Sequence, residues 1–251
     1  MPTQPIPKAD LLEIFSSIQG EGILVGCRQI FLRLPGCNLN CRYCDTNFLQ
    51  SDTCQVESCP GTGELDQFDN PLDFATVKDL ISAWNTELPA AHHSISITGG
   101  EPLLHQHLLS SWLPKLRKIL PIYLETNGTL PEQLALLIHH LDWVSMDIKL
   151  HSQTGLKTDW DIHRQFLEIA NQTDCYVKLV VGEETPDLEL QLAADLVSAI
   201  SKQIPIVLQP VTIAGRVTLT TKRLLQMQGL ISKINSNLRV IPQTHRFIGV
   251  L

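Results

Sequence analysis

The chain has 251 residues, a net charge of -7, a pI near 5.7 and 18% charged residues. Such a length buries a full core in one domain, Lys and Arg form no basic run that would suit a nucleic-acid groove, and no apolar stretch reaches the length of a membrane span. The start, Met1-Pro2-Thr3-Gln4-Pro5-Ile6-Pro7, lacks the basic-then-apolar pattern of a secretion signal, so a soluble cytoplasmic protein with reduced cysteines is expected.

In chain order, the first distinctive segment is Glu13-Ile14-Phe15-Ser16-Ser17-Ile18-Gln19-Gly20-Glu21-Gly22. Two glycines bracketing a Glu beside a Gln form a backbone loop able to close over a planar polar ligand, with a plain N-terminal turn as the alternative. A predicted strand follows at 29–34 and carries Arg33 among apolar neighbours; a buried Arg requires an anion opposite it. That strand runs into Cys37-x-x-x-Cys41-x-x-Cys44. A structural zinc site or an ordinary four-iron cluster takes four protein ligands. A trio of thiolates points instead to a four-iron cluster with one iron open to a small molecule. Zinc with a distant histidine as fourth ligand is the alternative, and the chain holds nine histidines. Asp45 and Thr46 come next, and the Thr46 hydroxyl is a hard oxygen donor suited to Mg²⁺.

Residues 51–71 are polar, contain Cys54, Cys59, Pro60, Gly61 and Gly63, and show no apolar period. They are expected to form a long inserted surface loop, and two cysteines are too few for an auxiliary cluster. Beyond them, apolar runs at 94–97, 122–125, 144–148, 176–181, 206–209 and 238–241 alternate with helical patterns at 74–85, 107–120, 131–140, 161–170, 187–200 and 220–228. Strands apolar on both faces belong to a parallel sheet. The fold expected is α/β, a partial (open) TIM-type barrel of about six βα units, too few to close an eight-stranded barrel, with a doubly wound sheet as runner-up. One domain spans 1–251. Pro131 and Pro186 sit where helices begin.

Reactive groups of such a barrel gather at the C-terminal strand ends. There the chain carries Thr98-Gly99-Gly100-Glu101-Pro102, Glu125-Thr126-Asn127-Gly128, Ser145-Met146-Asp147-Ile148-Lys149 and Gln209-Pro210. Glu101 can take an ammonium group, although a Gly-Gly turn before a helix reads the same way. Glu125 and Asn127 face the cavity mouth or belong to a plain Asn-Gly turn. Ser145, Asp147 and Lys149 alternate onto one face, where they serve a ligand or form a satisfied buried pair. His105 and His107 are expected at the surface, and Cys27 and Cys175 as packing residues.

Cys-x3-Cys-x2-Cys followed by Gly-Gly-Glu-Pro resembles the radical S-adenosylmethionine superfamily. Together with the Gln19–Gly22 loop, Arg33, Thr46 and Pro242-Gln243-Thr244-His245-Arg246 near the C-terminus, the chain resembles the 7-carboxy-7-deazaguanine synthase family within it. That resemblance implies a [4Fe-4S] cluster on Cys37, Cys41 and Cys44, S-adenosylmethionine, and Mg²⁺ on Thr46. It implies one-electron cleavage of S-adenosylmethionine to methionine and a 5′-deoxyadenosyl radical, which takes hydrogen from C6 of 6-carboxy-5,6,7,8-tetrahydropterin. Ring contraction then gives 7-carboxy-7-deazaguanine and ammonia in the queuosine and deazapurine pathway, with the cofactor regenerated. Ile18, Gln19, Gly20, Arg33 and Thr98 would contact the pterin. Tyr43, Asp45, Gly100, Glu101, Ser145, Asp147 and Lys149 would line the cofactor site, with Gln209 as a further adenine or ribose contact. A flavodoxin- or ferredoxin-type reductant and a homodimer are expected, with neither nucleic acid nor membrane as a partner. Residues past Leu238 could cap the barrel or join the dimer. Two rival functions stand beside it: a glycyl-radical enzyme activase, which shares the cluster and Gly-Gly-Glu-Pro motifs but has no need of Arg33, Thr46 and the Gln19–Gly22 loop as a pterin pocket, and a non-enzymatic zinc-binding module.

Overall fold

The computed structural model describes residues 5–42, Cys44 and residues 48–250. The first part runs through β1 (Glu13–Ile18), β2 (Arg28–Leu34), β3 (Thr53–Glu57), β4 (Leu65–Asp69), α1 (Phe74–Glu87), β5 (Ser94–Gly99) and α2 (Gln106–Leu116). Then come β6 (Ile122–Thr126), α3 (Pro131–Leu137), β7 (Trp143–Asp147), α4 (His151–Thr154), α5 (Trp160–Ala170), β8 (Asp174–Val181) and α6 (Asp187–Ile200). The last part holds β9 (Ile206–Pro210), β10 (Thr212–Ile213), β11 (Arg216–Val217), α7 (Thr221–Ser232), β12 (Leu238–Val240) and α8 (His245–Ile248).

One ten-stranded sheet has the order β12-β9-β8-β7-β6-β5-β2-β1-β3-β4. From β2 to β12 every neighbouring pair is parallel. The chain crosses between them through α1, α2, α3, α5, α6 and α7, as the alternation of apolar runs and helical patterns predicts. The strands are buried on both faces because helices cover one side and the barrel interior the other; all but one or two residues of β5 and β8 are buried. The order runs from β12 to β4 without closing, which is an open barrel. Among the described residues no helix is long and apolar enough to cross a membrane.

Helix starts are fixed locally. Asp73 caps α1 by accepting from Thr76 N at 2.9 Å, Asp159 caps α5 through Ile162 N at 3.1 Å, and Pro131 occupies the first turn of α3. Two expectations fail. Residues 51–71 are not a plain loop: β3 and β4 form an antiparallel hairpin that extends the sheet beyond β1, to which β3 is parallel. Only β3 shows an inward face, with Cys54 and Val56 in the core, while β4 is exposed throughout, so the pair has no shared apolar period. Residues 13–18, absent from the expected strands, form β1, antiparallel to β2. Its buried Ser16 and Ser17 hide the strand from a reading based on hydrophobicity.

The main core lies between the sheet and its helices. A second cluster fills the barrel interior, where Ile23 and Leu24 of the β1–β2 connection pack on Tyr123, Tyr176 and Val207. Full burial of a Leu or Ile side chain contributes about 1.5–3 kcal/mol, enough to pin this connection inside the barrel. Gly22 there has φ +65° and lies against the Tyr176 hydroxyl, where a Cβ would sit 1.9 Å from the oxygen; only glycine fits. The C-terminal segment crosses the same connection, with Thr244 N donating to Gly20 O at 2.8 Å. It therefore caps the barrel mouth.

Candidate active site

The C-terminal ends of β2, β5, β6, β7, β8 and β9 open into one cavity of about 620 Å³, within the usual range for small-molecule sites. Cys37, Cys41 and Cys44 line it, as do Ile18, Gln19, Gly20, Arg33, Thr98, Gly100, Asp147, Lys149 and Gln209. Twelve of the expected residues thus meet in one place although they come from across the chain. Tyr43, Asp45 and Thr46 lie outside the described residues.

The thiol loop is held from several sides. Gly36 N donates to Phe48 O at 2.7 Å and Arg42 N to Thr154 O at 3.2 Å. His105 Nε2 bonds Pro35 O at 2.7 Å, so His105 braces this loop, whereas His107 is exposed as expected. Gly100 packs on the Gly36 carbonyl, where a Cβ would lie 2.0 Å from the oxygen. Burial pushes the Cys37 and Cys41 thiols up, so their ionisation depends on a cation arriving to take them as thiolates. The remaining cysteines stand apart: Cys54 and Cys175 are buried in the main core, Cys59 is exposed, and Cys27 packs on the barrel-interior cluster. A donor set of three thiols in a cavity with further room fits a cluster that keeps one iron for a ligand. At the same cavity, Gln209 Oε1 is buried and has no partner among the described residues. A buried acceptor left unpaired has room for a donor from an ordered water or a bound molecule.

On the pterin side of the expected set, Glu125 accepts from Gln19 Nε2 at 2.7 Å and from Thr98 Oγ1 at 2.9 Å. Gln19 is occupied elsewhere too, donating to Gln29 Oε1 at 3.0 Å and accepting from Glu21 N at 2.9 Å. Arg33 Nε meets Glu13 at 2.6 Å, and its guanidinium lies 5.7 Å over the Phe15 ring, which stacks on Phe31. Arg33 thus already has one anion, and it presents a planar cation beside two aromatic faces.

Two expected residues are not on the cavity wall. Ser145 is buried one layer deeper, on the same face as Asp147, and bonds the Tyr123 and Tyr176 hydroxyls, which are 2.5 Å apart. Glu101 is fully buried and turned under the wall. Its carboxylate accepts from Leu103 N at 3.0 Å, Asn127 N at 2.7 Å and Thr126 Oγ1 at 2.9 Å. Burial pushes this carboxyl up to about 7, and those donors pull against the rise. Glu101 straps the β5 turn to the end of β6.

Asp147 and Lys149 form an ion pair at 2.7 Å, both side chains partly buried. A further partner, Lys178 of β8, reaches Asp147 Oδ1 at 3.3 Å and bonds Glu21. Burial pushes the Glu21 carboxyl up, but Lys178 outweighs it and holds the group at about 2. Lys178 lies in an apolar-looking strand run, and alternation alone could have flagged it. Gln243, His245 and Arg246 of the C-terminal segment also line the cavity. So does Asn127, which donates to Asn38 Oδ1 at 2.8 Å.

His163 of α5 ties two strand ends together. Its Nδ1 bonds Gly128 O at 3.0 Å and therefore carries the hydrogen, leaving Nε2 to accept Lys149 N–H at 3.4 Å. Burial holds the imidazole down at about 4. As pH falls from the ordinary value of 6.5 toward 4, the unfolded chain gains a proton that the folded chain does not, so stability drops. Between pH 7.5 and pH 5 the loss expected from this group is about 2 kcal/mol. Urea unfolding of wild type and His163→Asn at both pH values checks it: the stability gap between the two should narrow at pH 5. A gap independent of pH would remove His163 as its origin.

The Radical SAM superfamily profile matches residues 32–180. The chain is 48% identical over 248 residues to the 7-carboxy-7-deazaguanine synthase of Geobacter sulfurreducens, covering 98% of this chain and 99% of that one. It is 35% identical to the enzyme of the same name from Methanothermobacter thermautotrophicus, covering 97% and 98%. Among solved structures, QueE from Escherichia coli superposes with a TM-score of 0.58 at 22% identity over 95% of both chains. TYW1 with a lysine-pyruvate adduct bound gives 0.52 at 15% identity, over 84% and 74%. At these identities the two structures bear on the fold alone.

Proposed function

The chain belongs to the 7-carboxy-7-deazaguanine synthase family of radical S-adenosylmethionine enzymes, and we propose that it converts 6-carboxy-5,6,7,8-tetrahydropterin into 7-carboxy-7-deazaguanine and ammonia. Membership of this family displaces the zinc module, and full-length identity to named synthases displaces the activase. The observation that carries the proposal is the shared cavity: three thiols and the Gln19, Gly20, Arg33 and Thr98 set line the same space.

When bound, the cluster and S-adenosylmethionine supply one electron and a radical able to abstract hydrogen from C6 of the pterin. The chain's own part is to hold, orient and keep water out. Cys37, Cys41 and Cys44 hold the cluster. Gly100, Asp147, Lys149 and Gln209 face the cofactor, and the unpaired Gln209 Oε1 suits an adenine amino group, which is a donor. Tyr43 and Asp45 join them by family resemblance, while Glu101 and Ser145 support the wall from behind. Ile18, Gln19, Gly20 and Thr98 enclose the pterin, and Glu125, an acceptor-only carboxylate held by Gln19 and Thr98, suits its N–H edge. Arg33 faces the substrate carboxylate from the aromatic shelf of Phe15 and Phe31. A flavodoxin- or ferredoxin-type protein delivers the electron, and the enzyme works as a homodimer.

Thr46 would hold Mg²⁺, which would supply positive charge for the substrate carboxylate. A cation that keeps several waters needs few protein donors. The experiment is anaerobic incubation of the reconstituted enzyme with carboxytetrahydropterin, S-adenosylmethionine and reductant, read by mass spectrometry with and without added Mg²⁺. Wild type should form 7-carboxy-7-deazaguanine, faster with Mg²⁺. Thr46→Val, which keeps the shape and removes the oxygen, should lose that stimulation. No product from wild type rejects the function, and equal stimulation of both rejects the metal site.

A further inference from the structure

Lys178 is a buried cation on the cavity wall, its side chain 9% exposed, shared between two carboxylates from distant parts of the chain. One is Glu21, in the β1–β2 connection assigned to the pterin. The other is Asp147, at the end of β7 and assigned to the cofactor. Asp147 also holds Lys149 at 2.7 Å, and Glu21 also accepts Gln243 Nε2 at 2.8 Å. A chain of partners, Lys149–Asp147–Lys178–Glu21–Gln243, therefore runs from the cofactor strand through the substrate loop to the C-terminal segment.

The charges alternate and cancel, so this row does not serve to attract an ion. Nor is Lys178 needed to anchor the connection, which is already pinned by Ile23 and Leu24 in the barrel interior and by Gly22 against Tyr176. Its particular effect is that one ammonium holds Glu21 and Asp147 together, tying the end of β7 to the β1–β2 connection. Burial strengthens this bridge, because charges in a low-dielectric wall are poorly screened.

We infer that Lys178 is a positioning residue that couples the two halves of the cavity: S-adenosylmethionine bound at Asp147 and Lys149 fixes Asp147, and through the Lys178 bridge steadies Glu21, the 19–27 loop and the 242–247 segment for the second substrate. The inference rests on the cofactor and pterin assignments above.

Hydrogen exchange of the anaerobically reconstituted enzyme, with and without S-adenosylmethionine alone, tests it. In wild type, the cofactor should protect peptides covering 19–27 and 242–247 as well as 145–149. In Lys178→Met the protection should stay at 145–149, and Lys178→Arg should restore its spread. Glu21→Gln breaks the same link from the other side while keeping the loop's apolar anchors, so it should match Lys178→Met and decides the matter if that variant does not fold. With carboxytetrahydropterin present, wild type should bind S-adenosylmethionine more tightly by about 5- to 150-fold, the usual span of coupled sites, and the two disrupting variants should show no such gain. Protection that spreads equally in Glu21→Gln, or that never reaches 19–27 in wild type, overturns the coupling. Failure of wild type to make 7-carboxy-7-deazaguanine overturns the functional assignment instead, and leaves the exchange measurement, which uses no pterin, unaffected.

Discussion

Alanine at Cys37, Cys41 or Cys44 is expected to abolish S-adenosylmethionine cleavage, each change alone being sufficient. The three thiols come from one loop, line one cavity, and have no fourth cysteine beside them, since Cys27, Cys54, Cys59 and Cys175 lie elsewhere in the fold. A site with four protein ligands can survive partial loss more readily than one that starts with three. Iron content and the visible charge-transfer absorbance after anaerobic reconstitution should fall in all three variants, along with release of methionine. Cys59→Ser, at an exposed hairpin position, should keep both. Cys54→Ala should keep the cluster and lose stability, because it opens a cavity where a fully buried thiol now packs. Full iron and activity in the three loop variants would dismiss the assignment.

Glu101→Ala should be the other severe lesion, for a different reason. It removes an acceptor from three buried donors at once: Leu103 N, Asn127 N and the Thr126 hydroxyl. Each donor left unpaired costs about 1–3 kcal/mol, set against a margin of about 5–15 kcal/mol for a whole domain. The Gly99–Gly100 turn and Asn127 would lose their alignment, and with them the fit of Gly100 against the thiol loop. Unfolding of the cofactor-free protein in urea should therefore require less denaturant, with a loss of roughly 3 kcal/mol or more, and S-adenosylmethionine binding should fall with it. Glu101→Gln should be milder, since its amide keeps one acceptor but turns a donor toward donors. The measurement separates two roles. A carboxylate that only held the cofactor's ammonium would leave the stability of the cofactor-free protein unchanged, and that result would move Glu101 back to the cavity side.

Much of this molecule was legible in the residues themselves. The order of β2, β5 to β9 and β12 with their crossover helices follows from apolar runs bounded by Asp, Thr and Pro at helix starts, because a parallel strand buried on both faces has to be apolar and a helix end has to be capped. The thiol loop and the Gly-Gly-Glu-Pro turn were equally plain, since their chemistry depends on short spacings within one loop. Tertiary structure alone decided the rest. β1 and the β3–β4 hairpin escape the sequence because buried serines and a fully exposed edge strand break the apolar period, and their pairing is set by neighbours far away in the chain. Glu101 carries the expected motif yet faces inward, because the ends of β5 and β6 bring three donors to it that no local spacing announces. Lys178 and Glu21 are 157 residues apart. Their pairing exists only because the β1–β2 connection folds into the open barrel, where burial leaves each charge no better partner than the other.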